Sequence, residues 1–381
     1  MFVDTIVMPF LSSIEDWFMA PFRRSQVVRP PYKTSLWVYL LDALATLRLG
    51  HYMDAYDDKT LLLDQVLWDE AKVRGIPMKE FRLFGMPIAT FVATTTAGFR
   101  VPFTSFPTPP GAPGAIWWID TKSIMKRKFE NLGIPVAAGG AAMSLKSAKK
   151  IFHTLQKPVI VKPYEGSASR HTTIHINTEA ELEHAFKVSQ QITALSIVEE
   201  ELDGDVYRPT VVGGKLIATI RRDKPSVIGD GIHTVRELIE EENKNPKRQG
   251  PYYQHIKTGR AEEQELKRQG YTFESVLPQG TRVEVHQKIN WSVGGTTTDV
   301  TEEVHRDNVA LFEKIAEALH APLVGIDFII KDISKSWKEQ ERCGVIECNS
   351  RPFFDNHHLP FNGKPRNVAG AIWDYAGFKN N

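Results

Sequence analysis

Apolar and polar positions alternate in short runs along most of this chain, and the runs change period in a definite order. Leu36 to Leu49 and Leu61 to Lys72 carry apolar residues at helical spacing and predict two amphipathic helices. Lys79 to Phe84 and Ile88 to Thr94 read as strands, with Gly85-Met86-Pro87 turning the chain between them. The proline-rich tract from Phe106 to Gly114 reads as a stiff linker. Beyond it, Asp120 to Leu132 predicts a helix that Gly133 stops, and Ile134-Pro135-Val136 leads toward a strand. Residues 137–195 follow as strand, helix, strand, loop, strand and helix, with Thr178 capping the last. From Leu195 strands recur, interrupted by a charged, helix-rich block from Thr234 to Gly270. The pattern therefore predicts a separate unit over residues 1–115, a smaller unit over 116–195, and a larger one over 196–381 with a charged insertion near 225–280. No internal repeat is present.

Two of the apolar runs carry chemistry. In Val345-Ile346-Glu347-Cys348-Asn349 the period of a strand puts Glu347 and Asn349 on one face. Asp327 lies in a second run, Leu323 to Ile330. A lone carboxylate in such a place most often forms a salt bridge. Should the two strands pair, two carboxylates and an amide oxygen converge, a hard donor set suited to Mg²⁺ when phosphate completes the shell. Upstream, Pro158 to Pro163 is a β-branched run that delivers Lys162 into a loop of small and hydroxylic residues, Tyr164 to His171. Backbone N–H groups of such a loop can approach phosphate oxygens while the lysine adds a point charge. This combination, in this order, resembles the ATP-grasp superfamily. The resemblance implies an α+β / α/β architecture: an ATP-grasp fold preceded by an N-terminal α/β domain of the kind that usually precedes this module. Residues 116–195 would be its lid and residues 196–381 its catalytic part.

A narrower resemblance rests on Val227-Ile228-Gly229-Asp230-Gly231, on Asn290 to His305 with its Ser-x-Gly-Gly and Asp-x-Thr elements, and on His357-His358-Leu359-Pro360 with Gly363 and Arg366. These are similar to the central domain of cyanophycin synthetases and to fused glutamate–cysteine ligase/glutathione synthetases, over roughly residues 118–375. The resemblance implies a carboxylate–amine ligase that uses ATP and two Mg²⁺ ions, for which Mn²⁺ can substitute. Asp327, Glu347 and Asn349 would ligate metal. Lys122 and Lys162 would contact phosphates, and the loop containing Gly166, Ser167 and Ser169 would close over them. Glu199 and Glu200 fall where the interlobe hinge reads adenine. The acid that would hold ribose falls at Val206, so Asp205, one position early, is the expected substitute. The family's arginine aligns with His286. Lys288, two along and so on the same strand face, is expected to supply the charge, unless His286 does so as an imidazolium. Arg208, Arg221 or Arg222, and Arg351 are the candidates for gripping a substrate carboxylate or acyl phosphate, against the plainer reading of surface ion pairs.

Composition narrows the field further. With 381 residues and a net charge of +1, the chain has room for several cores and no global field that would recruit nucleic acid. Its two cysteines, Cys343 and Cys348, suit neither a disulfide framework nor a zinc site, and a reducing cytoplasm is the expectation. Cys348 should face the core, opposite Glu347 and Asn349. The opening residues lack the basic start of a signal peptide, and no run is long enough to span a membrane. The aromatic segment Ile14 to Arg24 is expected to pack on its own domain or across a homo-oligomer rather than on a membrane surface. Neither the first hundred residues nor a second ligase domain with its own P-loop falls under the resemblance. Substrates would be amino acids or peptides. Two other readings stay open: an ATP-grasp kinase, and a nucleotide-binding subunit without catalysis.

Overall fold

The computed structural model describes residues 32–114, 119, 122–164 and 171–378. The aromatic segment at 14–24 lies outside them. Helix α1 (Leu36–Thr46) is capped by Ser35, whose side chain accepts from Trp37 N. Strand β1 (Gly50–Met53), helix α2 (Leu62–Val73) and strands β2 (Met78–Leu83), β3 (Met86–Thr94) and β4 (Arg100–Thr104) follow. The four strands form a sheet in sequence order, antiparallel throughout. This unit holds the expected helices and strands, but its sheet is a meander, not the alternating parallel arrangement of an α/β domain. The short connections between β2 and β3 and between β3 and β4, of two and five residues, permit no crossover helix, which parallel pairing would need.

Helix α3 (Lys122–Asn131) and strand β5 (Gly139–Ala142) open the second unit. It continues through α4 (Leu145–Thr154), β6 (Val159–Pro163), β7 (Thr173–Ile176), α5 (Glu179–Ser189) and β8 (Ser196–Glu200). Thr178 caps α5 with Glu181 reciprocating, as a capping box requires. The strand order is β5-β8-β6-β7. Apolar residues of the strands, among them Val159, Val161 and Val198, pack with Leu182 and Phe186 of α5 in a core of their own.

The third part is built on a five-stranded sheet, ordered β13-β10-β9-β14-β15. Its strands are β9 (Asp205–Val212), β10 (Lys215–Asp223), β13 (Thr296–Asp299), β14 (Leu323–Ile330) and β15 (Gly344–Asn349). Between β10 and β13 the charged block folds as β11 (Ser226–Ile228), α6 (Val235–Glu242), α7 (Arg260–Arg268) and β12 (Arg282–Glu284) around Val227, Val235, Ile239, Leu266 and Val283. Alternation divides the large sheet cleanly. Tyr207, Ile326, Phe328 and Cys348 enter a core with α8 (Arg306–Leu319) and α3, through Phe312 and Phe129. Cys348 therefore faces inward as expected, and neither cysteine forms a disulfide.

The expected independence of the first unit is not what the packing shows. Trp68, Phe91 and Phe103 share a core with Val212, Leu323, Phe354 and Trp373, the last on α10 (Val368–Ala376). Trp373 Nε1 donates to Leu67 O at 3.0 Å. The tract read as a linker is irregular, and its start is covered, with Phe106 buried in this same core. Proline content said nothing of its burial.

Two measurements check this packing. Trp373→Ala should lower the free energy of unfolding by about 3–5 kcal/mol, the range for truncating a fully buried large aromatic; denaturant titration reads it. His357, in the one-turn helix α9 (Asp355–His358), is fully buried, and its Nε2 lies 2.7 Å from Thr210 Oγ1. Burial first, then the nearby Arg208 charge, push its pKa down to about 3. The unfolded chain thus binds a proton there that the fold refuses, and this residue's contribution is complete above pH of about 6.5 and lost as pH falls toward 3. Accordingly His357→Gln should destabilise at pH 7.5 and do so less at pH 5, the difference approaching about 1.4 kcal/mol per pH unit. Denaturation of both proteins at the two pH values gives the answer; a cost that grows on acidification would contradict it.

Candidate functional site

The large sheet sets one row of charged side chains on the face opposite the core. Tyr207 pairs with Phe328 and Thr210 with Gly325, a register that sets Arg208 opposite Asp327. Asp327 in turn pairs with Glu347, and Gly325 with Asn349. Across β10, Arg208 faces Ile220, so Arg222, two residues along, is a diagonal neighbour on the same face. Arg221 points the other way. It bonds Asp223 at 2.7 Å and lines a separate groove of about 710 Å³ with Arg282 and Lys244. Strand alternation thereby chooses Arg222 over Arg221.

Asp327 is buried and doubly engaged. Arg208 donates through Nε to Oδ1 at 2.6 Å and through Nη2 to Oδ2 at 2.8 Å; Arg222 Nη1 adds a bond to Oδ2 at 3.1 Å. Burial works to lower the Arg208 pKa, but the Asp327 and Glu347 carboxylates outweigh it and hold the guanidinium above its ordinary range. For Arg222 burial and repulsion from Arg208 prevail, and its pKa is drawn down. Glu347 makes no ion pair among the described residues, and Asn349 Nδ2 is buried without a hydrogen-bond partner. Among the described residues no three His, Cys, Asp or Glu side chains converge as a metal cluster. The donor set here is two carboxylates and an amide, all oxygen, which fits a hard cation that takes its remaining ligands from phosphate and water.

Two local features shape this row. A Cβ on Gly325 would stand 2.6 Å from Pro352 Cβ, so only glycine lets the chain beyond Asn349 fold back over the sheet. Between Asp327/Glu347 and Phe328/Val345 the register slips, leaving Ile346 as an extra residue. Ile346 turns into a cleft of about 230 Å³ between the large sheet and the smaller one, shared with Val136, Ala137, Gly139, Lys162 and Glu199.

In that cleft the sequence expectations are rearranged. Glu199 is buried and accepts from Lys162 Nζ and, at 3.3 Å, from Lys126 Nζ. Burial alone would raise its pKa; the two ammonium groups reverse this and hold it below the carboxylate range. Ile160 pairs with Glu199 in the β6–β8 ladder, so Lys162 is its diagonal same-face neighbour, and the pair follows from register. Glu199 is therefore a counter-ion to lysines before it is a reader of any base. Glu200 Oε1 accepts from Gln156 N at 2.9 Å, and Glu200 N donates to Ala138 O at 2.8 Å. Lys126 was absent from the expected set. Its signal was available, one helical turn beyond Lys122 on α3. Lys122 begins that helix; its side chain, with Gly166, Ser167 and Ser169, lies outside the described residues.

The remaining candidates are dispersed. Asp205 opens β9, exposed, in the field of Arg221 and Arg282. The strand argument for Lys288 does not hold, because β12 ends at Glu284 and residues 285–290 are irregular. Lys288 is exposed, and its backbone N–H donates to His286 Nδ1 at 2.9 Å. His286 faces Glu262 of the insertion at 3.9 Å, and burial lowers its pKa against the pull of that carboxylate. The segment still borders the site, since Ile289 O accepts from Arg222 Nη2 at 3.0 Å. Arg351 approaches Asp64 of the first unit at 3.5 Å, a contact no sequence spacing announces. Nor does any spacing mark Asp64 and Asp355, both buried beside it.

No family model matches the chain. It is 36% identical over 257 residues to the cyanophycin synthetase of Nostoc sp., a match that covers 66% of this chain and 28% of that protein. It is 32% identical over 262 residues to the glutathione biosynthesis bifunctional protein GshAB of Streptococcus agalactiae, covering 66% of this chain and 34% of the relative. The chain thus spans about a third of the length of these curated relatives. Among solved structures, a bifunctional glutathione synthetase from Pasteurella multocida superposes with a TM-score of 0.63 at 23% identity, over 82% of this chain and 43% of that one. No helix among the described residues is long and apolar enough to cross a membrane. The paired sheets, the lysine-lined cleft between them and these likenesses lead to one assignment: the chain has the ATP-grasp fold and resembles the matched segments of cyanophycin synthetases and bifunctional glutathione synthetases.

Proposed function

We propose that the chain is an ATP- and Mg²⁺-dependent carboxylate–amine ligase acting on amino acids or peptides. The observation that carries this reading is the row Arg222, Arg208, Asp327 and Glu347 on one sheet face, beside a cleft containing Lys162, Lys126 and Glu199. The first step would break the bond between the β-bridging oxygen and the γ-phosphorus of ATP and form a bond from that phosphorus to a substrate carboxylate oxygen. ADP leaves. In the second step the amine nitrogen bonds to the acyl carbon, the carbon–oxygen bond to phosphate breaks, and phosphate departs with the electron pair.

Each step crowds negative charge, so the protein's task is electrostatic. Asp327, Glu347 and Asn349 would hold Mg²⁺, which when bound neutralises phosphate charge. Whether one ion or two bind, and whether Mn²⁺ serves, belongs to the same proposal. Arg208 positions Asp327 through its two bonds. Arg222, held by a single longer bond to Asp327, is the guanidinium freer to meet the acyl phosphate. Lys162 and Lys126 would face phosphates with Glu199 as their shared counter-ion, while Lys122 and the Gly166–Ser169 loop would complete the phosphate cover. Asp205 for ribose, and His286 or Lys288 at the acyl phosphate, have weaker support. A cytoplasmic setting suits two buried cysteines that form no disulfide.

Glu347→Gln and Asp327→Asn should each reduce turnover at least a hundredfold at saturating Mg²⁺ with little change in the far-ultraviolet spectrum, since each removes an anionic ligand at constant volume. Coupled assays of ADP release across amino acid and dipeptide pairs give the rate, and a variant retaining a tenth of it would remove that residue from the metal set. Lys162→Ala should raise the KM for ATP and also lower kcat by roughly tenfold, because its charge matters most while the phosphoryl group is in flight. The products should be ADP and phosphate; pyrophosphate in the mixture would refute the acyl-phosphate route.

A further inference from the structure

Beside the charged row lies a second group of buried polar atoms that the phosphoryl chemistry does not use. Asp64 comes from α2 in the first unit, Asp355 from α9. They are 2% and 3% exposed, and Oδ1 of each has no hydrogen-bond donor among the described residues. Leaving a buried acceptor unsatisfied costs about 1–3 kcal/mol, more where it is charged. Two such oxygens on neighbouring elements are a large cost for a fold to carry without return.

Their surroundings specify what would satisfy them. Arg351 stands between the row and the first unit, its Nη2 3.5 Å from Asp64 Oδ2 and its Nε buried without an acceptor. Tyr252 OH, which also approaches Asn356 Oδ1, lies 3.0 Å from Asp355 Oδ2, so that carboxylate is held from one side only. The Tyr252 ring packs on Trp291, centroids 4.8 Å apart, and Trp291 on Phe353, which is half exposed. Unsatisfied acceptors backed by aromatic faces suit a cation. An arginine with a spare donor beside them suits an anion. Together they complement a small dipolar molecule carrying both.

We infer that Asp64, Asp355 and Arg351, under the Tyr252–Trp291–Phe353 wall, form the subsite for an incoming α-amino acid, its ammonium on the two carboxylates and its carboxylate on Arg351. The inference rests on the ligase reading and names the class of amine donor within it. The subsite adjoins the reacting centre, because Arg208, which holds Asp327, is among the charges acting on Asp355. Burial lifts both carboxyl groups to about 6, which makes each a better proton acceptor than an ordinary aspartate. The ammonium gives one proton to Asp355; the amine bonds to the acyl carbon as the carbon–phosphate oxygen bond breaks; the second nitrogen-bound proton leaves with phosphate. It also gives the first unit a function, since half of the ammonium site is its Asp64.

Hydroxylamine separates the two claims, because it is uncharged near neutrality and captures an acyl phosphate without needing an ammonium site. For wild type, Asp355→Asn and Asp64→Asn, the ATP-dependent hydroxamate rate is measured beside the amide rate. The ratio of amide to hydroxamate should fall at least thirtyfold in both variants, with the KM of the amino acid raised, and Asp355→Glu should recover part of it. An unchanged ratio overturns the subsite. Wild type yielding neither hydroxamate nor ADP with any carboxylic acid overturns the ligase reading instead, and the subsite is then judged by binding. The twenty standard amino acids, each at millimolar concentration with ADP, are screened for a rise in melting temperature. At least one should stabilise wild type and fail to stabilise Asp355→Asn; no shift with any, or equal shifts in both proteins, refutes it.

Discussion

A buried arginine clamped on a buried aspartate organises this molecule. Arg208 and Asp327 occupy adjacent strands at the centre of the large sheet, where removing either charge from water is expensive and only close, bidentate geometry offsets the loss. Breaking such a pair strands an uncompensated charge, at a cost of about 3–5 kcal/mol. The strands must therefore pair in one register, and that register places Glu347, Asn349 and Arg222 on the face opposite the core and Tyr207, Phe328 and Cys348 within it. A slip by one residue would bury the carboxylates among phenylalanines. The charged row and the hydrophobic core are consequences of the same alignment.

The cleft obeys a related logic with looser terms. Lys162, Lys126 and Glu199 neutralise one another across two elements of the smaller unit. The two lysines share a single carboxylate, so the set has one positive charge in excess, which suits a polyanion better than a neutral ligand. Glycine at 139, where a Cβ would stand 2.2 Å from Val198 O, keeps β5 pressed against β8 and the floor of the cleft flat.

Much of this was legible in the chain. The strands of Asp327 and Glu347, the helix capped by Thr178 and the inward Cys348 follow from period and capping alone, since local chemistry decides them. What the chain concealed needed register or tertiary contact. Lys162 meets Glu199 only as a diagonal pair once β6 and β8 are aligned, and Arg222 is distinguished from Arg221 only by knowing which face carries Asp327. Lys288 was misplaced because a strand assumed to reach residue 288 ends at 284. Asp64 and Arg351 stand 287 positions apart, so no spacing rule could join them. The burial of Phe106 likewise depends on α10, far along the chain, and composition saw only its prolines.

The hydrogen bond from Trp373 to Leu67 has a bearing on how the molecule is made. Trp68, Phe91 and Phe103 are synthesised before Val212, Leu323, Phe354 and Trp373, which cover them. A nascent chain thus carries an uncovered aromatic face until those later segments emerge, while the smaller sheet, with a core drawn wholly from residues 142–198, can close as soon as it clears the exit tunnel. Maturation would then run from the middle outward. Holding the first segment until the later one arrives becomes work for chaperones, and slow synthesis of the residues between them would lengthen the exposure.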